Sequence, residues 1–183
     1  VETMFEKIYH QYHEDIYQYI FYMVKDKQET EDIIQEVYIR VLRSYHSFNH
    51  ESSEKTWIFS IARHVTYDYF RKLKRKRNRI VEFFNWSEKG NHIRASNKTP
   101  EEVVVLSDEI IQMYHCLDTC TANQREVIIL RYLQQLSIKE TADILGWTES
   151  NVKTTQHRAL KALEKCMQLQ DEGRSGHNEK TNE

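Results

Sequence analysis

Apolar side chains in this chain recur in steps of three and four, and no run alternates with the two-residue period of a half-buried strand. One Pro and four Gly among 183 residues leave little material for tight turns. Helices packed on helices satisfy both facts, so the expected fold is all-α. The length suits one domain of ordinary size or two small ones. A charged fraction of 30% gives each helix a wide solvent face.

The periodicity divides the chain. Residues 4–24 carry Phe5, Ile8, Tyr9, Tyr12, Ile16, Tyr19, Ile20 and Met23 on one stripe, and the polar run from Lys25 to Glu29 ends it. A second helix, expected from Glu31 to Tyr45, has its seam at Ile33, Ile34, Val37, Tyr38, Val41, Leu42 and Tyr45. Asp32, Gln35, Glu36, Arg40 and Arg43 fall on its other side. After a polar turn at 49–54, Ser52 or Ser53 can cap a third helix, which would bury Trp57, Ile58, Ile61, Ala62, Val65 and Tyr69.

From residue 78 the pattern lapses into a stretch that reads as a flexible linker to residue 100, with Phe83, Phe84 and Trp86 loosely placed in it. Three capping signals then follow in order. Thr99-Pro100-Glu101-Glu102 opens a helix burying Val103, Leu106, Ile110, Ile111, Tyr114 and Leu117. Thr121-x-x-Gln124 leads into Val127, Ile128, Leu130 and Leu133. Ser137-x-x-Glu140 opens a short helix that Gly146 stops. Thr148 can cap a last helix burying Val152, Ala159, Leu160 and Leu163. A short helix, a Gly-bearing turn and a longer second helix make a helix-turn-helix pattern. Ser150, Asn151, Lys153, Thr154, His157, Arg158 and Lys161 share its outward face, a mix able to reach base edges and phosphates. Residues 169–183 read as a disordered tail.

Charge is gathered in one place. Between Arg63 and Arg79 lie eight Lys or Arg and one acid, Asp68, so a chain of net charge −2 keeps −9 everywhere else. The same stretch, Thr56 to Arg79, interleaves Trp57, Phe59, Tyr67, Tyr69 and Phe70. Cations beside stackable rings are what a single-stranded nucleic-acid surface needs. A solvated face over buried aromatics fits the residues equally well at this point. His64, Tyr67, Asp68, Arg71, Lys74 and Arg75 follow steps of three and four and share one face.

Other chemistry finds little support. His115, Cys116 and Cys120 lie close together without a second ligand pair at zinc spacing, and His10/His13 and His46/His50 share that weakness, so no metal is expected. Cys116, Cys120 and Cys166 form no even disulfide framework, which points to a reducing cytoplasm. No phosphate loop, nucleophile elbow or catalytic triad spacing occurs, and neither enzymatic activity nor a cofactor is expected. No apolar run approaches the twenty residues of a membrane span, and no signal-like segment opens the chain.

Three stretches in order, EDIIQEVYIRVLRSYHSF (31–48), SSEKTWIFSIARHVTYDYFRK (52–72) and NQREVIILRYLQQLSIKETADILGWTESNVKTTQHRALKAL (123–163), resemble a bacterial sigma factor of the extracytoplasmic-function (ECF) type, in the sigma-70 family, with most likeness to its sigma-X group. The resemblance covers most of residues 4–166. It implies region 2 over residues 1–77, a linker over 78–100 and region 4 over 101–168. Asp32, Gln35, Glu36 and Arg40 would then dock on core RNA polymerase at the β′ clamp helices, with the β flap as a further contact. Ser53, Lys55, His64, Tyr67, Asp68, Arg71, Lys74 and Arg75 would bind the opened −10 element. Ser150, Asn151, Lys153, Thr154, His157, Arg158 and Lys161 would bind the −35 element in the major groove.

The same resemblance implies a cytoplasmic, non-catalytic subunit that directs promoter-specific initiation and is held inactive by a membrane-bound anti-sigma factor. It implies promoters of cell-envelope genes, including resistance to cationic peptides. Two features depart from the family pattern. His64 stands where many relatives carry Asn, in the pocket for a flipped base, and Thr154, Thr155 and His157 stand where Arg or an aromatic is common. A freestanding helix-turn-helix regulator, acting without polymerase, is the competing reading, and an RNA-binding protein using the stacking face is a third.

Overall fold

In the computed structural model, residues 3–85 and 108–178 are described, with side chains at 3–78 and 113–169. The chain divides into two units, Val1–Thr99 and Pro100–Glu183. All regular elements among the described residues are helical. The expected capping box at Thr99, with Val103 and Leu106 behind it, lies outside the described residues, as do the side chains of Ile110 and Ile111.

In the first unit, α1 (Met4–Val24) starts at a capping box in which Thr3 accepts from the Glu6 amide and the Glu6 carboxylate accepts from the Thr3 amide. It ends with Lys25 in the left-handed region, at φ 59. Asp26 immediately caps α2 (Lys27–Ser44) by accepting from the Glu29 amide at 3.0 Å. The polar run expected to separate the helices is thus one C-cap and one N-cap, and α2 begins four residues earlier than its apolar seam suggested. A 3₁₀ turn (Tyr45–Ser47) follows. Ser53 then caps α3 (Glu54–Asn85), accepting from the Thr56 amide at 3.1 Å.

The three helices pack on one another around Ile8, Ile16, Tyr19, Ile20, Val37, Val41, Ile58, Phe59 and Ala62, each fully or almost fully buried. Three residues expected in the seams are exposed, and Tyr45, Trp57, Ile61 and Tyr69 are half-buried. Phe5 and Tyr9 are 36% and 39% exposed in the first turns of α1, where both rings meet Tyr38, and Leu42 is 43% exposed at the margin of α2. Phe48 stacks on Trp57 at 4.8 Å and, with Tyr45 and His50, anchors the loop ahead of α3. Glu54 ties three elements together, accepting from the Tyr12 hydroxyl at 3.1 Å and the Tyr45 hydroxyl at 3.0 Å. Burial and the facing Glu54 carboxylate push the Tyr12 hydroxyl up to about 12. Glu54→Ala leaves both hydroxyls without this acceptor and is expected to cost about 1–3 kcal/mol. A lower urea midpoint at unchanged slope is the expected readout, and an unmoved midpoint would show that water replaces the carboxylate without loss.

Helix α3 continues to Asn85, past the boundary expected at residue 77. Its Lys- and Arg-rich run is made of good helix formers and holds no Gly or Pro, so local propensity sustains the helix where the apolar period has ended.

In the second unit, α4 (Asp108–Leu117) is followed by a turn and by α5 (Ala122–Ile128), which opens on the expected Thr121 box. The chain then takes a π-helical turn (Ile129–Leu133), and α6 (Ile138–Leu145) opens on the Ser137 box. Gly146 stops α6 at φ 67, and an added Cβ would meet nothing within 4 Å. The left-handed backbone alone therefore selects glycine here. Helix α7 (Glu149–Asn178) packs against α4, α5 and α6, burying Val152, Ala159 and Leu163. Leu160 is 40% exposed, since Ala159 and Leu163, four apart, take the inward line. Where a disordered tail was expected from residue 169, α7 remains helical to Asn178. Gly173 and Gly176 cost about 1 kcal/mol each against Ala, but no Pro interrupts the ladder.

The cysteines depart from expectation as well. Cys116 on α4 and Cys166 on α7 are joined in a disulfide with a Cα–Cα distance of 5.7 Å, leaving buried Cys120 as the remaining thiol. An odd count does not prevent one pair, and helix packing brings together two positions 50 residues apart that no spacing rule connects. Closing a loop of that length limits the unfolded chain by about 4 kcal/mol in the chain-entropy account.

Candidate nucleic-acid interface

Helix α3 carries two faces. One is locked into the first unit by Ile58, Phe59, Ala62 and Val65, all buried. The other begins at His64 and becomes wholly cationic along Arg71, Lys74 and Arg75, each exposed. His64 is exposed, and its Nδ1 lies 2.6 Å from the Ser60 carbonyl oxygen. A carbonyl only accepts, so Nδ1 carries the proton, and neutral His64 presents Nε2 as an acceptor. Beside it, Arg40, Arg43, Ser44 and Ile61 complete an open groove of about 370 Å³ between α2 and α3. An apolar floor with guanidinium groups beside it suits a planar heterocycle carrying a phosphate.

Neighbouring residues hold this face in place. Asp68 accepts from Arg71, one turn along α3, and from Arg40 of α2 at 3.1 Å, while Arg40 also donates to Glu36 at 2.9 Å. Those hydrogen bonds, Arg71 first, hold the Asp68 carboxyl below its ordinary value of 3.8. A depressed carboxylate adds stability above its unfolded value and loses it as pH falls through the folded one, so the tie is intact near neutrality. Arg63 lies over the Tyr67 ring at 4.5 Å, and Tyr67 meets Phe70 edge-on at 6.1 Å. One face of the half-buried Tyr67 ring is therefore occupied by a cation. Lys55 pairs with Asp15 of α1 at 2.8 Å and Ser53 serves as the cap, which draws both toward the scaffold.

On α2, Asp32, Gln35 and Glu36 are exposed, with the apolar Ile39 and Leu42 exposed beside them. Of the residues expected there, Arg40 alone is drawn in, toward α3. Arg43, Ser44 and Ile61 are groove residues that periodicity missed. The spacing of Arg40 to Arg43 placed both on the wet side of α2, but only packing shows which α3 residue they face.

In the second unit, Thr148 caps α7 by accepting from the Asn151 amide at 3.2 Å. All seven residues expected on the outward face, Ser150, Asn151, Lys153, Thr154, His157, Arg158 and Lys161, are exposed. Thr154 is turned back, donating to the Ser150 carbonyl at 2.9 Å. Arg131 donates to Gln156 at 2.9 Å, and Gln156 donates to the Tyr132 hydroxyl at 3.1 Å, which ties the π-helical turn to α7.

Comparison with known proteins assigns both units. Residues 8–76 match the family model for sigma-70 region 2, and residues 110–163 match that for sigma-70 region 4. The chain is 53% identical over 169 residues to the ECF RNA polymerase sigma factor SigX of Bacillus subtilis, covering 92% of this chain and 86% of the relative. The chain is an ECF sigma factor of the sigma-70 family. It is also 32% identical over 161 residues to SigM of Bacillus subtilis, across 86% of this chain and 93% of that one.

Two solved structures share the sigma-factor fold. The sigma factor RpoE of Bartonella quintana, crystallised with the anti-sigma factor NepR, matches with a TM-score of 0.69 at 23% identity, over 90% of this chain and 97% of that one. CnrH, in complex with the cytosolic domain of CnrY, matches with a TM-score of 0.64 at 17% identity, over 90% and 88%. This sigma factor thus places region 2 in the first unit and region 4 in the second. No described helix is long and apolar enough to cross a membrane.

Proposed function

We propose that this sigma factor recruits core RNA polymerase through α2, holds the opened −10 strand on α3 and reads the −35 duplex with α7. The observation that carries the reading is the cationic line Arg71, Lys74 and Arg75, which leads from the His64 groove along a helix whose opposite face is locked in the core. A helix anchored in that way can hold a single strand in fixed register, with Arg43 beside the groove for a phosphate. Asp32, Gln35 and Glu36, with Ile39 and Leu42, form the face offered to the β′ clamp helices, and Arg40 braces it against α3. The α7 face, with Lys153, Arg158 and Lys161 as its cations, takes the −35 duplex, with readout that leans on DNA shape.

The protein acts in the cytoplasm without catalysis of its own, the chemistry belonging to the polymerase. Its likeness to a sigma factor crystallised with the anti-sigma factor NepR supports control by an anti-sigma factor, and the resemblance to the sigma-X group implies a cell-envelope regulon. The functional boundaries remain 1–77, 78–100 and 101–168. A freestanding regulator would have no use for the α2 face or the α3 cations.

Run-off transcription with purified core polymerase tests the reading. Promoter-specific initiation is expected, and tight duplex binding without initiation would overturn it in favour of a freestanding regulator. Asp32→Ala with Glu36→Ala is expected to weaken core-polymerase binding at least tenfold, with helicity unchanged by circular dichroism. Equal loss of helicity would make that face structural. Tyr67→Ala is expected to weaken capture of a pre-melted promoter by about 1–3 kcal/mol. Unchanged affinity would mean that Arg63 and the core occupy both faces of the ring.

A further inference from the structure

Neither cysteine of the disulfide belongs to the outward face proposed for DNA. It links α4 to the distal half of α7, the helix on which the rest of the second unit packs and whose first half carries the outward DNA face. A cytoplasmic location, which belongs to the proposed function, makes a permanent disulfide unexpected, because disulfides in reducing compartments are chiefly transient and redox-sensing. The two cysteines differ in access. Cys116 is fully buried, whereas Cys166 is half-buried on α7. Cys120, also buried, has its thiol pushed up by that burial and stays protonated, so it is a poor competitor for exchange.

We propose that Cys116 and Cys166 form a reversible thiol–disulfide switch that sets the folding stability of the second unit, and with it the output of the holoenzyme. The reductant is a dithiol. One of its thiolates attacks Sγ of Cys166, the less buried residue of the pair, and the Cys116 sulfur leaves with the electron pair and takes up a proton. The second thiol of the reductant then attacks its own mixed disulfide and releases Cys166, so two protein thiols form as the dithiol is oxidised to a disulfide. The oxidant is hydrogen peroxide. The Cys166 thiol is oxidised to the sulfenic acid with release of one water, and the Cys116 thiol condenses with it to restore the disulfide and release a second water. Oxidation ties α4 to α7. Reduction returns the closed loop to the unfolded ensemble's freedom and weakens the unit that carries the −35 face.

The test uses the full chain, treated with dithiothreitol or with hydrogen peroxide. After denaturation, iodoacetamide is expected to add three groups to the reduced chain and one, at Cys120, to the oxidised chain. The melting transition of the second unit is expected to fall by roughly 15–30 °C on reduction. Cys120→Ala is expected to keep that shift, and Cys166→Ala or Cys116→Ala to abolish it. Run-off transcription near the reduced protein's melting temperature is expected to be several-fold higher for the oxidised holoenzyme. Three alkylated cysteines after peroxide, an unchanged melting transition, or equal run-off in both states would overturn the switch. Absence of initiation in both states would instead overturn the sigma reading, and the melting shift would then decide the switch by itself.

Discussion

Phe59→Ala is expected to destabilise the first unit by about 3–5 kcal/mol, the usual range for deleting a buried aromatic ring. Phe59 is fully buried and meets Tyr19 edge-on at 5.6 Å, where α1 crosses α3, with Ile58 and Ala62 beside it. The cavity would open at the centre of a three-helix core, and a small domain has only about 5–15 kcal/mol in all. Urea unfolding followed by circular dichroism should show the first unit's transition displaced to much lower urea and the second unit's transition unmoved. The same variant should lose run-off activity at growth temperature, although Phe59 touches no DNA. A loss below about 1 kcal/mol would contradict the packing and return Phe59 to the set of rings available for stacking on bases.

That prediction separates two readings that composition left level. Trp57, Phe59, Tyr67, Tyr69 and Phe70 are interleaved with cations in the sequence, and nothing in the sequence says which of them are buried. Helical spacing assigned Trp57 to the core, yet it is half-buried and its partner is the stacked Phe48 of the preceding loop. Phe59, not singled out by spacing, is the most deeply buried ring among the described side chains of α3. Step counting gives a helix its apolar side to within about one residue, and it cannot weigh neighbours on that side against one another.

Caps were more legible, because they are local. The Thr121 and Ser137 boxes and the Gly146 stop each rest on residues within a turn of one another, and all three form as the sequence suggests. Of the caps that the spacing did not give, Thr3 opens α1, and Asp26 sits inside a polar run where one residue ends a helix and the next begins another. The groove and the disulfide were illegible for the opposite reason. Arg43 faces His64, and Cys116 meets Cys166, only after helices distant in sequence have packed. Helix lengths were underestimated at both Asn85 and Asn178 because apolar periodicity was taken as the measure of a helix. Propensity alone can carry the ladder beyond the last buried residue.

His64 marks the point where local chemistry sharpens a global reading. Asn at this position would offer both a donor and an acceptor to a base, whereas neutral His64, with Nδ1 committed to Ser60, offers an acceptor at Nε2. A base in the groove would have to present a donor there. Selectivity at this site would then come from the imidazole edge, and most of the binding free energy from the cations that follow it along α3.

Replacing Arg71, Lys74 and Arg75 together by alanine is the direct measure of that division. All three are exposed, so the substitutions remove charge without opening the core, and helicity should be unchanged. Asp68 loses one partner but keeps Arg40, so the tie between α2 and α3 survives. On single-stranded DNA each neutralised phosphate contributes about 0.7 to the salt slope, so the variant's slope should be shallower by about 2. Between 50 and 200 mM salt, its affinity for a pre-melted promoter should therefore fall roughly fifteen- to twenty-fold less than that of the unaltered chain. At the low-salt end, where the cations contribute most, the variant should bind weakest relative to the unaltered chain. Base preference in the groove should be retained, because His64 and Ile61 are untouched. An unchanged slope would mean that these cations face solvent in the complex, and the strand would then have to leave the groove by another path.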